Sequence, residues 1–255
     1  MSGRLDGRVV VVTGAGRGMG AGIARAVSEA GARVVLVDVV AGSAEAGAAS
    51  LGPGAAGLTG DVTDDADIDR TVALALDRFG ALDGWVNNAG VIDMAPAIDT
   101  TAANIDAHVA VNTTAVIRCC QAAARHWRDA GRGGAIVNIA SHAGKVGYPD
   151  MLGYNLSKAA VISLTRNLAH EWASLGINVN CICPSGVDTP MLDAVGADDH
   201  HVDQAAADHA RAGPVHHEAV GNAHFAKFER GQPRALEEWA GLVGPHEAHQ
   251  SLLVQ

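Results

Sequence analysis

Tyr154 and Lys158 are the two residues whose types and spacing most clearly predict chemistry. They stand four positions apart at the start of a segment with helical apolar periodicity, so both side chains project from one helix face. A free phenol titrates near pH 10, so a tyrosine that accepts a proton at neutral pH needs its pKa lowered by roughly three units. A cation within a few ångströms lowers a pKa by roughly one to three units. The pair therefore predicts acid-base chemistry on a hydroxyl proton.

Ser141 follows directly after a predicted strand, residues 135–140. Its hydroxyl is expected at the carboxyl edge of a parallel sheet, where open α/β sheets bind their ligands. There it can orient a substrate oxygen next to Tyr154. Taken alone, a serine that caps the next segment is the alternative interpretation.

A glycine-rich turn connects a predicted strand, residues 9–13, to a predicted helix, residues 18–30. A pyrophosphate at a helix N-terminus needs backbone N–H groups at close range, which Cβ atoms would obstruct. The pattern predicts a dinucleotide site, and a tight turn in a glycine-rich chain is the alternative. The turn residues expected to contact the ligand are Gly14, Arg17, Gly18, Met19 and Gly20.

Asp38 closes the second predicted strand, residues 33–38, eighteen residues after Gly20. An acidic side chain at this place in a dinucleotide fold accepts hydrogen bonds from the adenosine ribose and repels a 2′-phosphate. NAD is therefore favoured over NADP as cofactor. Arg17 argues in the other direction, since it could meet a phosphate, and an ordinary strand-end turn is the alternative role of Asp38.

The elements that must position these residues alternate between short β-branched strands and longer helices. This order predicts an α/β fold with a single Rossmann-type, doubly wound parallel sheet and helices on both faces, in one domain spanning residues 1–255. No element is assigned between residues 39 and 57, where small residues dominate. The further predicted strands are residues 84–87 and 178–183, and the further helices are residues 67–79, 102–129 and 154–175.

Composition excludes several classes of protein. Apolar residues make up 48% and charged residues 18% of the 255, which excludes a disordered chain. The formal net charge of −10 opposes binding to nucleic acid. The first apolar run is too short for a signal sequence or a membrane span, so we expect a cytoplasmic protein without a membrane partner. The four cysteines have neither zinc nor redox spacing and are expected to be buried free thiols.

Taken together in this order, the motifs resemble the short-chain dehydrogenase/reductase family, in its NAD-preferring form. The match is firm over residues 5–191. It rests on the glycine turn 13–20, Asp38, Asp61-Val62, the Asn-Asn-Ala-Gly run 87–90, Asn112, Ser141, Tyr154-x-x-x-Lys158 and the Pro-Ser-Gly-Val-Asp-Thr run 184–189.

The resemblance implies a role for each matched residue. Tyr154 is the general acid/base, Ser141 positions the reacting oxygen, and Lys158 binds the nicotinamide ribose and lowers the pKa of Tyr154. Asn112 holds a water in a proton relay through Lys158. The residues implied to contact NAD elsewhere are Asp61 and Val62 at the adenine, Asn88, Ala89 and Gly90 along the cofactor, and Val187 and Thr189 at the nicotinamide amide.

The resemblance weakens after residue 191. Residues 192–235 correspond to a substrate lid and residues 236–255 to an atypical C-terminus without the family's last Val-rich strand, for which an altered reading frame near Gly244 is one hypothesis. Eight histidines lie in this part, but their spacing lacks a shared ligand face, so no metal site is predicted.

These observations predict an oxidoreductase that transfers a hydride between NAD(H) and a secondary alcohol or ketone. The expected substrate is small to medium in size and apolar or cyclic, such as a terpenoid or steroid-like alcohol. Two alternatives stay open: a 3-oxoacyl reductase that uses NADP(H), and a catalytically silent dinucleotide sensor or scaffold. Family habit further implies a homo-oligomer, a dimer or a tetramer.

Overall fold

One six-stranded parallel sheet organises the chain in the computed structural model, which describes residues 4–184 and Met191. The strand order is β3-β2-β1-β4-β5-β6. This arrangement confirms the predicted Rossmann-like α/β fold. The predicted lid, the atypical C-terminus, Val187 and Thr189 lie outside the described residues.

Helices and strands alternate along the whole sheet. The strands are β1 Val9–Thr13, β2 Arg33–Asp38, β3 Ala55–Thr59, β4 Gly84–Asn87, β5 Gly134–Ile139 and β6 Ile177–Ile182. The helices are α1 Gly18–Glu29, α2 Ser43–Leu51, α3 Asp65–Phe79, α4 Ala102–Val109, α5 Val116–Asp129 and α6 Leu152–Trp172.

Helices cover both faces of the sheet. Because successive strand residues point to opposite sides, each strand buries side chains on both faces. In β1, Val10 and Val12 pack in the core beneath α1 and α2. Val9 and Val11 pack in the opposite core, against α3 and α5. A continuous run of valines is therefore the appropriate strand sequence, since a parallel sheet covered on both sides has no polar face.

Two elements were not predicted, α2 and β3. The sequence of β3, Ala-Ala-Gly-Leu-Thr, is only partly buried and has few β-branched residues, because the strand lies at the edge of the sheet. Pairing with β2 over five residues fixes it as a strand. Local propensity is weak here, and tertiary pairing decides the structure.

The predicted helix 102–129 contains a π-helical segment, Ala110–Ala115, between α4 and α5. Single π turns inside α-helices frequently occur at functional sites, because they re-aim the side chains of one turn. Asn112 lies within this segment.

The four cysteines are buried free thiols, as expected. Over the described part of the chain, the helices are too short or too polar to cross a membrane.

Candidate functional site

The carboxyl ends of the strands surround a cavity of about 510 Å³. After β3, at one edge of the sheet, the chain returns to form β4 on the other side of β1, so β1 and β4 are neighbours in the sheet. The helices that follow these two strands pack on opposite faces. The crevice at such a switch point is the usual ligand site of an open α/β sheet. The predicted site residues that line this cavity are Gly14, Arg17, Gly18, Met19, Gly20, Asp38, Asp61, Val62, Asn88, Ala89, Gly90, Ser141, Tyr154 and Lys158.

The glycine turn brings backbone close to backbone at the N-terminus of α1. A Cβ on Gly20 would collide with the carbonyl oxygen of Gly14 and lie 2.5 Å from Nδ2 of Asn88. Asn88 in turn donates from Nδ2 to the carbonyl oxygens of Thr13, at 2.9 Å, and Gly14, at 3.1 Å. The turn is thus locked to the end of β4, and its glycines are required by contact distance.

Asp38 lies at the far end of the cavity, at the end of β2, and is 9% exposed. Its Oδ2 accepts a hydrogen bond from the backbone N–H of Gly16 at 2.8 Å, and its Oδ1 accepts one from the N–H of Val40 at 2.9 Å. The carboxylate is therefore fixed in orientation by the glycine turn on one side and by its own loop on the other. Its negative charge is presented to whatever ligand the cavity holds at this end.

Asp61 and Val62 line the cavity in the loop between β3 and α3. Asp61 Oδ1 accepts hydrogen bonds from both the backbone N–H and the hydroxyl of Thr63, each at 2.8 Å. The backbone N–H of Asp61 donates to Asp67 Oδ2 at 2.8 Å. The Asp61 side chain thus shapes the loop, and the loop supplies the cavity wall.

Tyr154 and Ser141 lie together at the end of the cavity near β5, which β1 and β4 separate from β2 and Asp38. Burial raises the pKa of Tyr154, and a hydrogen bond with the Ser141 side chain acts in the opposite direction. The pKa shift runs against the sequence-based expectation, because desolvation of the phenolate outweighs the stabilising contact in the protein alone. A proton-accepting Tyr154 therefore needs additional positive charge from a ligand.

Lys158 is 5% exposed and donates from Nζ to the carbonyl oxygen of Ile139 at 2.9 Å. Its Nζ lies 5.6 Å from the centroid of the Tyr154 ring. Burial lowers the pKa of Lys158 to about 8. At pH 7 the ammonium is still the main form, held between β5 and Tyr154.

Asn112 does not line the cavity but is fully buried behind its wall, while its neighbour Val111 lines it. Its side chain clamps the backbone of Val91: Oδ1 accepts from the N–H at 2.8 Å and Nδ2 donates to the carbonyl oxygen at 2.9 Å. Nδ2 also donates to the Ser157 hydroxyl at 3.0 Å. The side chain therefore fixes the loop after β4 beside Lys158, and the water relay implied by the resemblance stays a prediction.

Three residues near Tyr154 were missed by sequence reasoning. His142 and Tyr148 line the cavity, and His142 Nδ1 lies 2.8 Å from the Tyr148 hydroxyl. His108 is fully buried against the Tyr154 ring. For His142 and Tyr148, the sequence feature that could have predicted a place in the site is their position between Ser141 and Tyr154, in a segment with no strand or helix pattern.

The residues present fit a bound nicotinamide dinucleotide. The glycine turn packs without side chains against Asn88 and Ala89, where a Cβ would collide, and the cavity beside it is lined by both Asp38 and Tyr154. Backbone N–H groups at the start of α1 suit the pyrophosphate, and the buried cation of Lys158 suits the hydroxyls of a ribose.

Comparison with known proteins gives a consistent result. The family model described as short chain dehydrogenase matches residues 8–200. A sorbitol dehydrogenase of Cereibacter sphaeroides is 44% identical over 194 residues, 76% of each chain. A D-threitol dehydrogenase of Mycolicibacterium smegmatis is 40% identical over 191 residues, 74% of this chain and 73% of that protein.

Among solved structures, the chain is similar to a 3-ketoacyl-(acyl-carrier-protein) reductase from Brucella melitensis complexed with NADH. The TM-score is 0.72 at 32% sequence identity, covering 82% of this chain and 92% of the other. Fold and sequence thus point to the same group of proteins.

Proposed function

The chain belongs to the short-chain dehydrogenase family and is an alcohol oxidoreductase, and on this basis we propose that it transfers a hydride between NAD(H) and a secondary alcohol or ketone. The observation that carries the proposal is one cavity with Ser141, Tyr154 and Lys158 at one end and Asp38 at the other. Acid-base groups and a ribose-binding carboxylate thus share one ligand site.

Tyr154 accepts the hydroxyl proton of the alcohol during oxidation and returns it during reduction. Ser141, whose side chain lies close enough to Tyr154 to oppose the rise that burial causes in the pKa of the phenol, orients the substrate oxygen. Lys158 holds a positive charge between the ribose site and the Tyr154 ring, at 5.6 Å from the ring centroid. Asn112 acts by fixing the Val91 backbone, so we propose it as a positioning residue.

Residues at the carboxyl edge of the sheet that line the cavity would hold the cofactor. Oxidised NAD supplies the hydride acceptor and a positive charge that favours the phenolate of Tyr154. Gly14, Arg17, Gly18, Met19 and Gly20 would surround its pyrophosphate, Asp61, Val62, Asn88, Ala89 and Gly90 would line the remainder, and Val187 and Thr189 are proposed for the nicotinamide amide.

Asp38 supports NAD rather than NADP. Its carboxylate is held in place by two backbone N–H groups and is nearly buried, so it cannot easily move away from a 2′-phosphate. A fixed negative charge next to a phosphate dianion is strongly repulsive at low solvent exposure. The same residue argues against a 3-oxoacyl reductase that uses NADP(H).

The proposed substrate is a secondary alcohol whose carbon skeleton packs on the apolar wall of the cavity. That wall includes Ile92, Val111 and Met151, which suit an aliphatic or cyclic skeleton. The names of the two dehydrogenase relatives, sorbitol and threitol, support a skeleton with several hydroxyl groups.

The experiment is to incubate the purified protein with NAD or NADP and a panel of secondary alcohols, and to follow absorbance at 340 nm. We expect turnover with NAD, and loss of turnover with retained NAD binding in Tyr154→Phe. NAD binding without turnover of any alcohol by the parent protein favours the silent sensor. Equal turnover by Tyr154→Phe rules out the assigned general base.

A cytoplasmic location and a homo-oligomer, dimer or tetramer, complete the proposal. Four free buried thiols support a reducing compartment. Size-exclusion chromatography with light scattering tests the oligomeric state.

A further inference from the structure

We infer that Tyr148, oriented by His142, binds a second hydroxyl group of the substrate, so that the enzyme prefers diols and polyols to simple alcohols. The inference rests on the proposed function and identifies the substrate class of the same site. It follows from the placement of one phenol hydroxyl at the reacting end of the cavity.

Tyr148 lies at the reacting end because its hydrogen-bond partner does. His142 is the residue directly after Ser141, and His142 Nδ1 lies 2.8 Å from the Tyr148 hydroxyl. The two rings meet edge to face with 6.0 Å between their centroids. Both side chains line the same cavity as Ser141 and Tyr154.

The loop that carries Tyr148 is fixed from the other side as well. Asn155, which follows Tyr154 on α6, donates from Nδ2 to the carbonyl oxygen of Tyr148 at 2.9 Å. The position of Tyr148 relative to Tyr154 is therefore set by a direct hydrogen bond to the catalytic helix. A fixed donor or acceptor loses less conformational entropy on binding than a mobile one.

The Tyr148 hydroxyl keeps hydrogen-bonding capacity beyond its contact with His142. A phenol hydroxyl has one donor and acceptor lone pairs. If it donates to Nδ1, it can still accept from a substrate hydroxyl, and if it accepts from Nδ1–H, it can still donate. Burial raises the pKa of Tyr148, so the hydroxyl stays protonated across the neutral range.

A hydroxyl in this position favours a substrate that can use the hydrogen-bonding capacity left over from its contact with His142. A simple secondary alcohol fills the site of the carbinol oxygen between Ser141 and Tyr154 but offers nothing to Tyr148. A substrate with a second hydroxyl nearby satisfies it. Sites built to hydrogen-bond a hydroxyl discriminate strongly against analogues that lack it.

The test compares kcat/KM of the parent protein, Tyr148→Phe and His142→Phe with NAD on matched alcohols. The probes are three pairs: butan-2-ol with butane-2,3-diol, pentan-2-ol with pentane-2,4-diol, and cyclohexanol with cis-cyclohexane-1,2-diol. We expect the parent protein to prefer at least one diol over its mono-alcohol by tenfold or more. In Tyr148→Phe the diol to mono-alcohol ratio should fall toward one, and His142→Phe should lower it in the same direction.

The mono-alcohols serve as the internal control, since a merely structural effect lowers kcat/KM for both members of a pair. A ratio near one in the parent protein, or one that Tyr148→Phe leaves unchanged, overturns the inference while leaving the proposed function intact. NAD-linked turnover of none of the alcohols counts against the proposed function itself.

Discussion

His108 and Tyr154 lie edge to face, with 6.2 Å between their ring centroids and an angle of 74° between the planes. His108 is fully buried at the end of α4. Its Nδ1 lies 2.8 Å from the carbonyl oxygen of Asn104, which requires Nδ1 to carry the proton, and its Nε2 accepts from the N–H of Asp93 at 3.0 Å. One neutral imidazole thus connects α4, the loop after β4 and the ring of Tyr154.

Gly153 on α6 lies in close contact with His108. A Cβ there would lie 2.8 Å from both His108 Nδ1 and Asn104 Oδ1. We therefore expect Gly153→Ala to push α4 and α6 apart, to shift the adjacent Tyr154 and to lower kcat by about tenfold to a hundredfold, the scale of a 1 Å misplacement. Steady-state kinetics measures the effect.

Gly147→Ala is the matched control for this prediction. A Cβ at Gly147 meets nothing within 4 Å, so kinetics close to those of the parent protein are expected. If Gly153→Ala also keeps the parent kcat, the contact with His108 does not position Tyr154.

Gly20 and Gly22 offer a second matched pair within α1. Gly20→Ala should abolish NAD binding, because its Cβ would collide with Gly14 and displace Asn88. At Gly22 the added methyl meets nothing within 4 Å, so Gly22→Ala should keep NAD affinity and stabilise the helix by about 0.5–1 kcal/mol. Calorimetric titration with NAD and urea unfolding measure the two effects, and equal NAD affinity in both variants contradicts the assigned phosphate turn.

Asp38→Asn tests the origin of cofactor preference. The variant removes the negative charge. In the parent protein the two carboxylate oxygens accept hydrogen bonds from the backbone N–H groups of Gly16 and Val40, whereas the asparagine side chain has only one oxygen to accept them. NAD affinity should fall because the variant loses one of these two hydrogen bonds, which hold the side chain in place. The affinity ratio of NAD to NADP should fall by about tenfold or more, equivalent to about 1.4 kcal/mol, because the repulsion of a 2′-phosphate is removed.

Glu45→Gln provides the control for the loss of one nearby negative charge. Glu45 is exposed on α2, bonds with Thr59 and lies outside the cavity lining, so the affinity ratio should stay at the parent value. An unchanged ratio in Asp38→Asn removes the carboxylate as the source of NAD preference.

Lys158 makes stability depend on pH in a defined window. Burial lowers its pKa from an ordinary 10.5 to about 8 in the folded protein. Between pH 8 and 10.5 the unfolded chain therefore binds more protons at this residue than the folded one, so its contribution to stability rises with pH. Below pH 8 both states are protonated and the desolvation cost is fully present.

Lys158→Met isolates this contribution. The free energy of unfolding of the parent protein minus that of the variant should increase with pH, by up to about 3 kcal/mol over the full window from pH 8 to 10.5. Urea unfolding without cofactor measures the difference at each pH. A difference that is flat with pH means that the ammonium is not desolvated in the fold.

Five of the six described strands, most helices and nine of the fourteen cavity-lining site residues could be predicted from patterns in the sequence, and the other five residues followed from the family resemblance. These features depend on local patterns: β-branched runs buried on both faces, a glycine turn between strand and helix, and a tyrosine and lysine one helical turn apart. Each pattern has a physical requirement that few other residues satisfy.

Tertiary structure alone decided the remainder. It made a strand of Ala55–Thr59 through pairing with β2, placed the Asn112 side chain on Val91 through a π-helical segment, and brought Tyr148 and His108 to the reacting end. It also reversed the expected direction of the Tyr154 pKa shift, because desolvation depends on every neighbour that packs around the phenol. Contacts between residues distant in sequence, and the burial that they create, leave no local pattern to read.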